Sequence, residues 1–285
     1  MRILVAGALG EVGRTVSVAL SDRGHDVVAA SSRAPVPGSS AISTAEAAAL
    51  VSDGRIDLVV NAAGRGDRRP GERTGTDSTA ILAPAIASSG TSAVLLSTMR
   101  VLEGYSEPVP DDAPPRPTTP YAEANALHEA QWLASTSTGT VLRLANYFCA
   151  PLSVESPQAQ LLPWSLVTEA LASGTITVRS SRDTMREFVD ATDVASALLI
   201  LSAAPESRVV ATAPGVVVTL DDLAGAVSLA LADTGRTRPV ISFGPGPSVS
   251  PPRCLPGWLA HQGWRSRLTP DSVRAVVGQW LAAGA

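Results

Sequence analysis

The sequence predicts an α/β chain, a doubly wound parallel sheet with a smaller C-terminal α/β lobe. Three observations carry this expectation. Through the first half, short uninterrupted apolar runs alternate with longer Ala-rich stretches, the pattern of strands buried on both faces and joined by crossover helices. At 285 residues, 45% hydrophobic and 17% charged, the chain can bury one large core or two unequal ones. After Asn146 the alternation gives way to prolines and isolated helical stretches, which marks a second lobe.

Each element has its own justification. Residues 2–7 (RILVAG), 25–31 (HDVVAAS), 56–63 (IDLVVNAA), 92–98 (SAVLLST) and 140–146 (TVLRLAN) read as buried strands. Between them, 12–23, 44–53, 77–88 and 121–135 read as helices. Pro151, Pro157 and Pro163 punctuate a loop, after which 161–174, 193–203 and 220–233 read as helices. Residues 235–257 hold six prolines and read as irregular. The expected domains are 1–150, with 188–212 returning to it, and a lobe of 151–187 plus 213–285.

Composition excludes several classes of function. The net charge of −4 offers no basic footprint for nucleic acid or an anionic membrane. The longest uncharged stretch, Ser78 to Met99, contains Pro84, Gly90 and many hydroxyl residues, so no membrane span is expected. The N-terminus lacks the features of a signal peptide, and the cytoplasm is the default. Cys149 and Cys254 make no disulfide framework, and no Cys/His cluster has metal-ligand spacing. All 22 basic residues are arginine, so any mechanism that needs a lysine is excluded.

The strongest motif is Gly7-Ala8-Leu9-Gly10-Glu11-Val12-Gly13, directly after the first strand and opening the first helix. Glycines at this spacing permit a tight turn, close approach of backbone to a pyrophosphate, and close helix–strand packing. The expected fold is therefore Rossmann-type, and the expected ligand a nicotinamide dinucleotide. The second strand ends Ser31-Ser32-Arg33, without the carboxylate that would hold a ribose 2′-hydroxyl, which favours NADP over NAD. Asn61-Ala62-Ala63-Gly64 ends the third strand with small residues that let the backbone lie along a cofactor. Ser97 and Thr98 end the next. Tyr121 and Asn125 share one helix face, and His128 falls near it as a core or surface residue.

These motifs together resemble the extended short-chain dehydrogenase/reductases, in the branch of nucleotide-sugar epimerases, dehydratases and 4-ketoreductases that includes proteins similar to dTDP-4-dehydrorhamnose reductase. The resemblance spans roughly residues 1–233. It takes in Arg143-Leu-Ala-Asn146, similar to the family segment whose Asn contacts a substrate diphosphate. It also takes in Arg186-Glu-Phe-Val-Asp190, similar to the segment whose Arg grips that diphosphate.

The resemblance implies that Thr98 hydrogen-bonds the reacting substrate oxygen and that Tyr121 moves the proton. Met99, Arg100, Asn146 and Arg186 complete the implied substrate set. The backbone from Gly7 to Gly13, the 31–33 and 61–64 segments, Ser97, Tyr121 and Asn125 would hold the cofactor. It also implies a homodimer formed through helices 77–88 and 121–135, which carry Ile81, Leu82, Ile86, Leu127 and Trp132. The chain departs from the family where Asn125 stands at the position of the lysine that tunes the tyrosine. An amide keeps a ribose hydrogen bond but brings no charge. Positive charge must then come from the oxidised nicotinamide or an arginine such as Arg100, or Tyr121 acts only as proton donor. The implied activity is reduction of a keto group on a nucleotide-linked sugar, with epimerase or dehydratase action and a catalytically silent cofactor-binding protein as alternatives.

Overall fold

The computed structural model describes residues 1–31, 40–64, 76–151, 159, 161–246 and 254–282, with Thr76 and Asp77 by backbone alone. The chain divides into two units. The first comprises Met1–Tyr147, Ala191–Pro214 and Pro252–Arg265; the second comprises Phe148–Asp190, Gly215–Pro251 and Ser266–Ala285.

In the first unit the strands are β1 (Arg2–Ala6), β2 (Asp26–Ser31), β3 (Ile42–Ser43), β4 (Leu58–Asn61), β5 (Ser92–Thr98), β6 (Gly139–Leu144) and β10 (Arg208–Ala211). They form a seven-stranded sheet in the order β10-β6-β5-β4-β1-β2-β3, and every paired neighbour is parallel. The chain order reverses between β1 and β4, which opens a crevice at the carboxyl ends of those two strands.

The crossover helices are α1 (Glu11–Ser21), α2 (Thr44–Ser52), α3 (Thr76–Ser89), α4 (Pro120–Ser135) and α6 (Ala191–Ser202), and a short α8 (Trp258–His261) follows later in the chain. α1 packs on α6, while α2, α3 and α4 pack in series. Leu4, Val59, Leu95 and Val141 from the strands meet Leu82, Ile86 and Trp132 from the helices in one core. Three of the five apolar residues expected at a dimer face, Leu82, Ile86 and Trp132, are thus spent on the sheet. Their spacing along α3 and α4 puts them on the face the sheet covers, and the Trp132 indole donates to the Thr140 carbonyl at 3.1 Å. Ile81 and Leu127 stay exposed, at 42% and 71%.

Strand β7 (Asn146–Phe148) lies where the first unit passes to the second. The second unit holds α5 (Trp164–Ser173), α7 (Leu220–Asp233) and α9 (Pro270–Ala282), with a parallel pair β8 (Thr175–Val178)–β12 (Val240–Phe243) and an antiparallel pair β9 (Met185–Asp190)–β11 (Val216–Thr219). In its core Trp164 stacks on Phe148, ring centroids 5.7 Å apart, and meets Trp280 at a tilt with centroids 5.1 Å apart.

Two departures from the sequence expectation have local causes. Val-Ile-Ser-Phe, inside the proline-rich 235–257 stretch, is strand β12 rather than irregular chain. Pro239 falls just before the strand, where it removes no ladder hydrogen bond. Helix α9 had a legible signal: Thr269 and Ser272 exchange backbone-to-side-chain hydrogen bonds at its start, and Val273, Val277, Trp280 and Leu281 recur on the buried face.

Candidate active site

The glycine loop is built as its spacing requires. Gly7 follows β1 with φ +80°, a left-handed conformation that disfavours any side chain. Its N–H and that of Ala8 both donate to the Ala30 carbonyl at the end of β2, at 2.9 and 3.1 Å. A Cβ on Gly7 would lie 2.7 Å from the Ala63 nitrogen, so the 61–64 turn of β4 rests directly on it. A Cβ on Gly13 would lie 2.3 Å from the Gly7 carbonyl oxygen. Gly10 is the N-cap of α1 and supplies no side-chain cap, so the positive end of the helix dipole meets the loop with no capping side chain. Leu9 belongs to the turn, and Glu11, Val12 and Gly13 form the first helical turn. A backbone this close, at the crevice between β1 and β4 and closed to side chains, fits a dinucleotide pyrophosphate.

Asn61 is fully buried and holds that crevice in shape. Its Oδ1 accepts from the Ala63 N–H and the Ser78 hydroxyl, both at 3.1 Å, and its Nδ2 donates to Thr79 Oγ1 at 3.0 Å. Thr79 lies 2.8 Å from His128 Nε2, so His128 is a buried member of this network on α4. Ala62, Ala63 and Gly64 then leave the strand as small residues. Ser31 is buried at the end of β2. Ser32 and Arg33, the other two residues of the expected 2′-phosphate site, lie outside the described residues.

Ser97 and Thr98 diverge. The Ser97 hydroxyl donates to Glu129 Oε1 at 2.6 Å and is buried. Glu129 in turn binds Arg143 through contacts of 2.7 to 3.3 Å, both side chains being almost wholly out of water. Arg143 Nη1 donates to the Asp111 and Ala113 carbonyls, at 3.2 and 2.7 Å, so the pair ties α4 and β6 to the segment that leads into α4. Neither acid nor base of this pair stood out in the sequence. The available signal was an ionisable residue inside each of two apolar runs, one a strand and one a helix.

Thr98 caps a single 3-10 turn, Met99–Leu102, its hydroxyl oxygen accepting from the Arg100 N–H at 3.2 Å. The hydroxyl proton remains able to donate elsewhere. Helix α4 begins at Pro120, capped by the Thr119 hydroxyl, which places Tyr121 in the first turn. The Arg100 guanidinium carbon lies 5.6 Å from the centroid of the Tyr121 ring. The Asn125 amide donates to the Tyr121 carbonyl at 2.8 Å, folded back onto its own helix.

Asn146 is exposed at the start of β7. In the second unit, Arg186 is part-buried on β9, where Val218 of β11 pairs with it. Its Nη1 donates to the Met185 carbonyl at 2.9 Å, and burial lowers its pKa from the ordinary arginine value.

Comparison with known proteins bears on this arrangement. The family model described as NAD dependent epimerase/dehydratase family matches residues 3–213. No curated protein sequence matches the chain. MoeE5, solved in complex with UDP-glucose and NAD, superposes with a TM-score of 0.73 at 20% identity, over 99% of each chain. The UDP-glucose 4-epimerase of Thermus thermophilus, in complex with NAD, gives 0.72 at 20% identity over 99% of this chain and 100% of that one. DesIV, a dTDP-glucose 4,6-dehydratase from Streptomyces venezuelae with NAD bound, gives 0.73 at 19% identity over 100% and 98%. At these identities the likeness is one of fold.

Proposed function

Since this chain belongs to the NAD dependent epimerase/dehydratase family, we propose that it reduces a keto group on a nucleotide-linked sugar, with Tyr121 as proton donor. The observation that carries the reading is the Asn125 amide turned onto the Tyr121 carbonyl, in a chain without lysine. No ammonium stands one helical turn beyond the phenol to hold it ionised. A neutral phenol suits reduction, because it gives its proton to a strongly basic forming alkoxide. Oxidation-first chemistry needs the phenolate as base and is served less well.

The glycine loop, the first turn of α1 and the 61–64 turn would hold the dinucleotide, which supplies the hydride equivalent when bound. Thr98 would donate its hydroxyl proton to the carbonyl oxygen while its own oxygen stays fixed by the Arg100 N–H. Arg186 would bind a diphosphate with two-pronged hydrogen bonds, and Asn146 is a separate candidate for a substrate contact.

NADP is the cofactor that Ser31-Ser32-Arg33 favours. The relatives named above were solved with NAD, so a titration with NADPH and NADH decides between them.

A second reading, epimerase or dehydratase, is favoured by the family description and by those relatives. One experiment separates the two: the purified protein is incubated with UDP- or dTDP-linked sugars and their 4-keto forms, with and without reduced cofactor. Stoichiometric loss of the reduced nicotinamide, abolished in Tyr121→Phe, supports reduction. Conversion of a nucleotide sugar with no net redox change and no added cofactor establishes the second reading instead.

A further inference from the structure

We propose that Glu103 is a positioning residue that fixes the Arg100 guanidinium over the Tyr121 ring, making this arginine the cation that tunes the phenol. The inference rests on the reading of Tyr121 as the proton-transfer group. It starts from how Glu103 divides its two carboxylate oxygens. Oε2 accepts from Arg100 Nε and Nη2, at 3.2 and 3.1 Å. Oε1 accepts from the Thr119 hydroxyl at 2.6 Å and the Thr118 N–H at 3.1 Å. Thr119 is the N-cap of α4, two residues before Tyr121. One carboxylate therefore grips both the arginine and the start of the helix that presents the phenol.

An i,i+3 ion pair with an exposed arginine would ordinarily contribute little. The second oxygen distinguishes this one, because it converts a surface pair into a fixed spacing between Arg100 and Tyr121. Glu103 is suited to the task. Burial raises its pKa, but the hydrogen bonds from Thr119, Thr118 and Arg100 outweigh that and hold it below the usual carboxylate range, ionised at neutral pH.

The other charged groups around α4 are occupied or turned away. On α4 itself Glu123 is exposed, and His128 and Glu129 are buried in the networks of Thr79 and Arg143. Arg143 is the charged group β6 contributes, β5 contributes none, and the described side chains of α3 include none. Arg116, on the approach to α4, stacks over Tyr105 at 4.4 Å. Arg100 is therefore the cation set against Tyr121 among the described residues.

The test reads the phenol directly. Tyr105, Tyr121 and Tyr147 are the three tyrosines, so tyrosinate absorbance titrated in the full chain and in Tyr121→Phe yields the Tyr121 curve by difference. Arg100→Gln should raise the Tyr121 pKa by about half a unit, the size a partly exposed cation–ring contact allows. Arg100→Lys should recover most of that. In a Glu103→Ala background, Arg100→Gln should move the pKa by less than half as much.

An unchanged Tyr121 titration in folded Arg100→Gln overturns the proposal. Equal shifts with and without Glu103 overturn the positioning role. A wild type that shows these shifts but turns over no keto sugar refutes the reductase reading and leaves this one standing.

Discussion

Gly13→Ala is the sharpest probe of the cofactor cradle. The new Cβ would sit 2.3 Å from the Gly7 carbonyl oxygen, 2.8 Å from the Gly7 carbonyl carbon and 3.0 Å from the Ala8 Cα. All three are backbone atoms, so no flexible side chain can give way. Either α1 withdraws from the loop or the loop opens. The Gly7 carbonyl also accepts the Gly10 N–H at 2.9 Å, and the loop is pinned through Gly7 and Ala8 to the Ala30 carbonyl, so opening it breaks existing hydrogen bonds.

Overpacking of this kind costs about 1–3 kcal/mol, against roughly 0.5–1 kcal/mol that alanine gains over glycine inside a helix. Displacement of the α1 N-terminus also moves the N–H groups that would meet the pyrophosphate. Dinucleotide affinity should therefore fall more than tenfold, about 1.4 kcal/mol or more. Gly225→Ala is the control: it lies inside α7 with nothing within 4 Å of the added Cβ, and should stabilise by about 0.4–1 kcal/mol without touching binding. Fluorescence titration with NADH and NADPH, beside thermal melts, measures both effects. Wild-type affinity in Gly13→Ala would refute the cradle.

Five further outcomes are expected. Tyr121→Phe should cut kcat for keto-sugar reduction by about 10²–10⁴, and Asn125→Lys should shift the pH–rate profile toward lower pH, both read by nicotinamide absorbance. Arg143→Ala should destabilise by about 3–5 kcal/mol in urea unfolding, because it strands the buried Glu129 carboxylate; a cost below about 1 kcal/mol would show the pair to be dispensable. Glu103, with its folded pKa depressed, should contribute stability that is fully present above its unfolded pKa and lost as pH falls through the folded value. Glu103→Gln should flatten that acid limb in melts recorded from pH 6 down to about 3. We also propose that α3 and α4 dimerise through the exposed Ile81 and Leu127; a sedimentation mass near the 29.2 kDa of one chain at micromolar concentration would refute this.

Five of the seven strands of the parallel sheet were legible, because strands covered on both faces must be apolar with little interruption; the short edge strands β3 and β10 were not. Runs such as Leu58–Asn61 and Ser92–Thr98 carry that requirement in the sequence itself. The glycine loop was legible in part for a similar reason: Gly13 packs on Gly7 and Ala8 a few residues away and Gly7 has φ +80°, whereas the Ala62–Ala63 backbone that also bars a Cβ at Gly7 arrives from β4.

What the sequence left open depends on groups brought together from afar. Glu129 and Arg143 read as two isolated charges until α4 and β6 pack, and Ser97 reads as a site hydroxyl until that pair claims its proton. Asn125 could have reached outward or back, and the helix geometry turned it back. Leu82, Ile86 and Leu127 were indistinguishable as apolar helix residues, and only packing sorted the first two inward and the third outward. Arg100 was one of three options the sequence left open beside Tyr121, and tertiary structure brings the two together: a 3-10 turn after one strand and the first turn of a helix meet where one carboxylate binds both. Short-range sterics and burial are written into local sequence. Long-range electrostatic pairing is decided only when the fold fixes which charges meet.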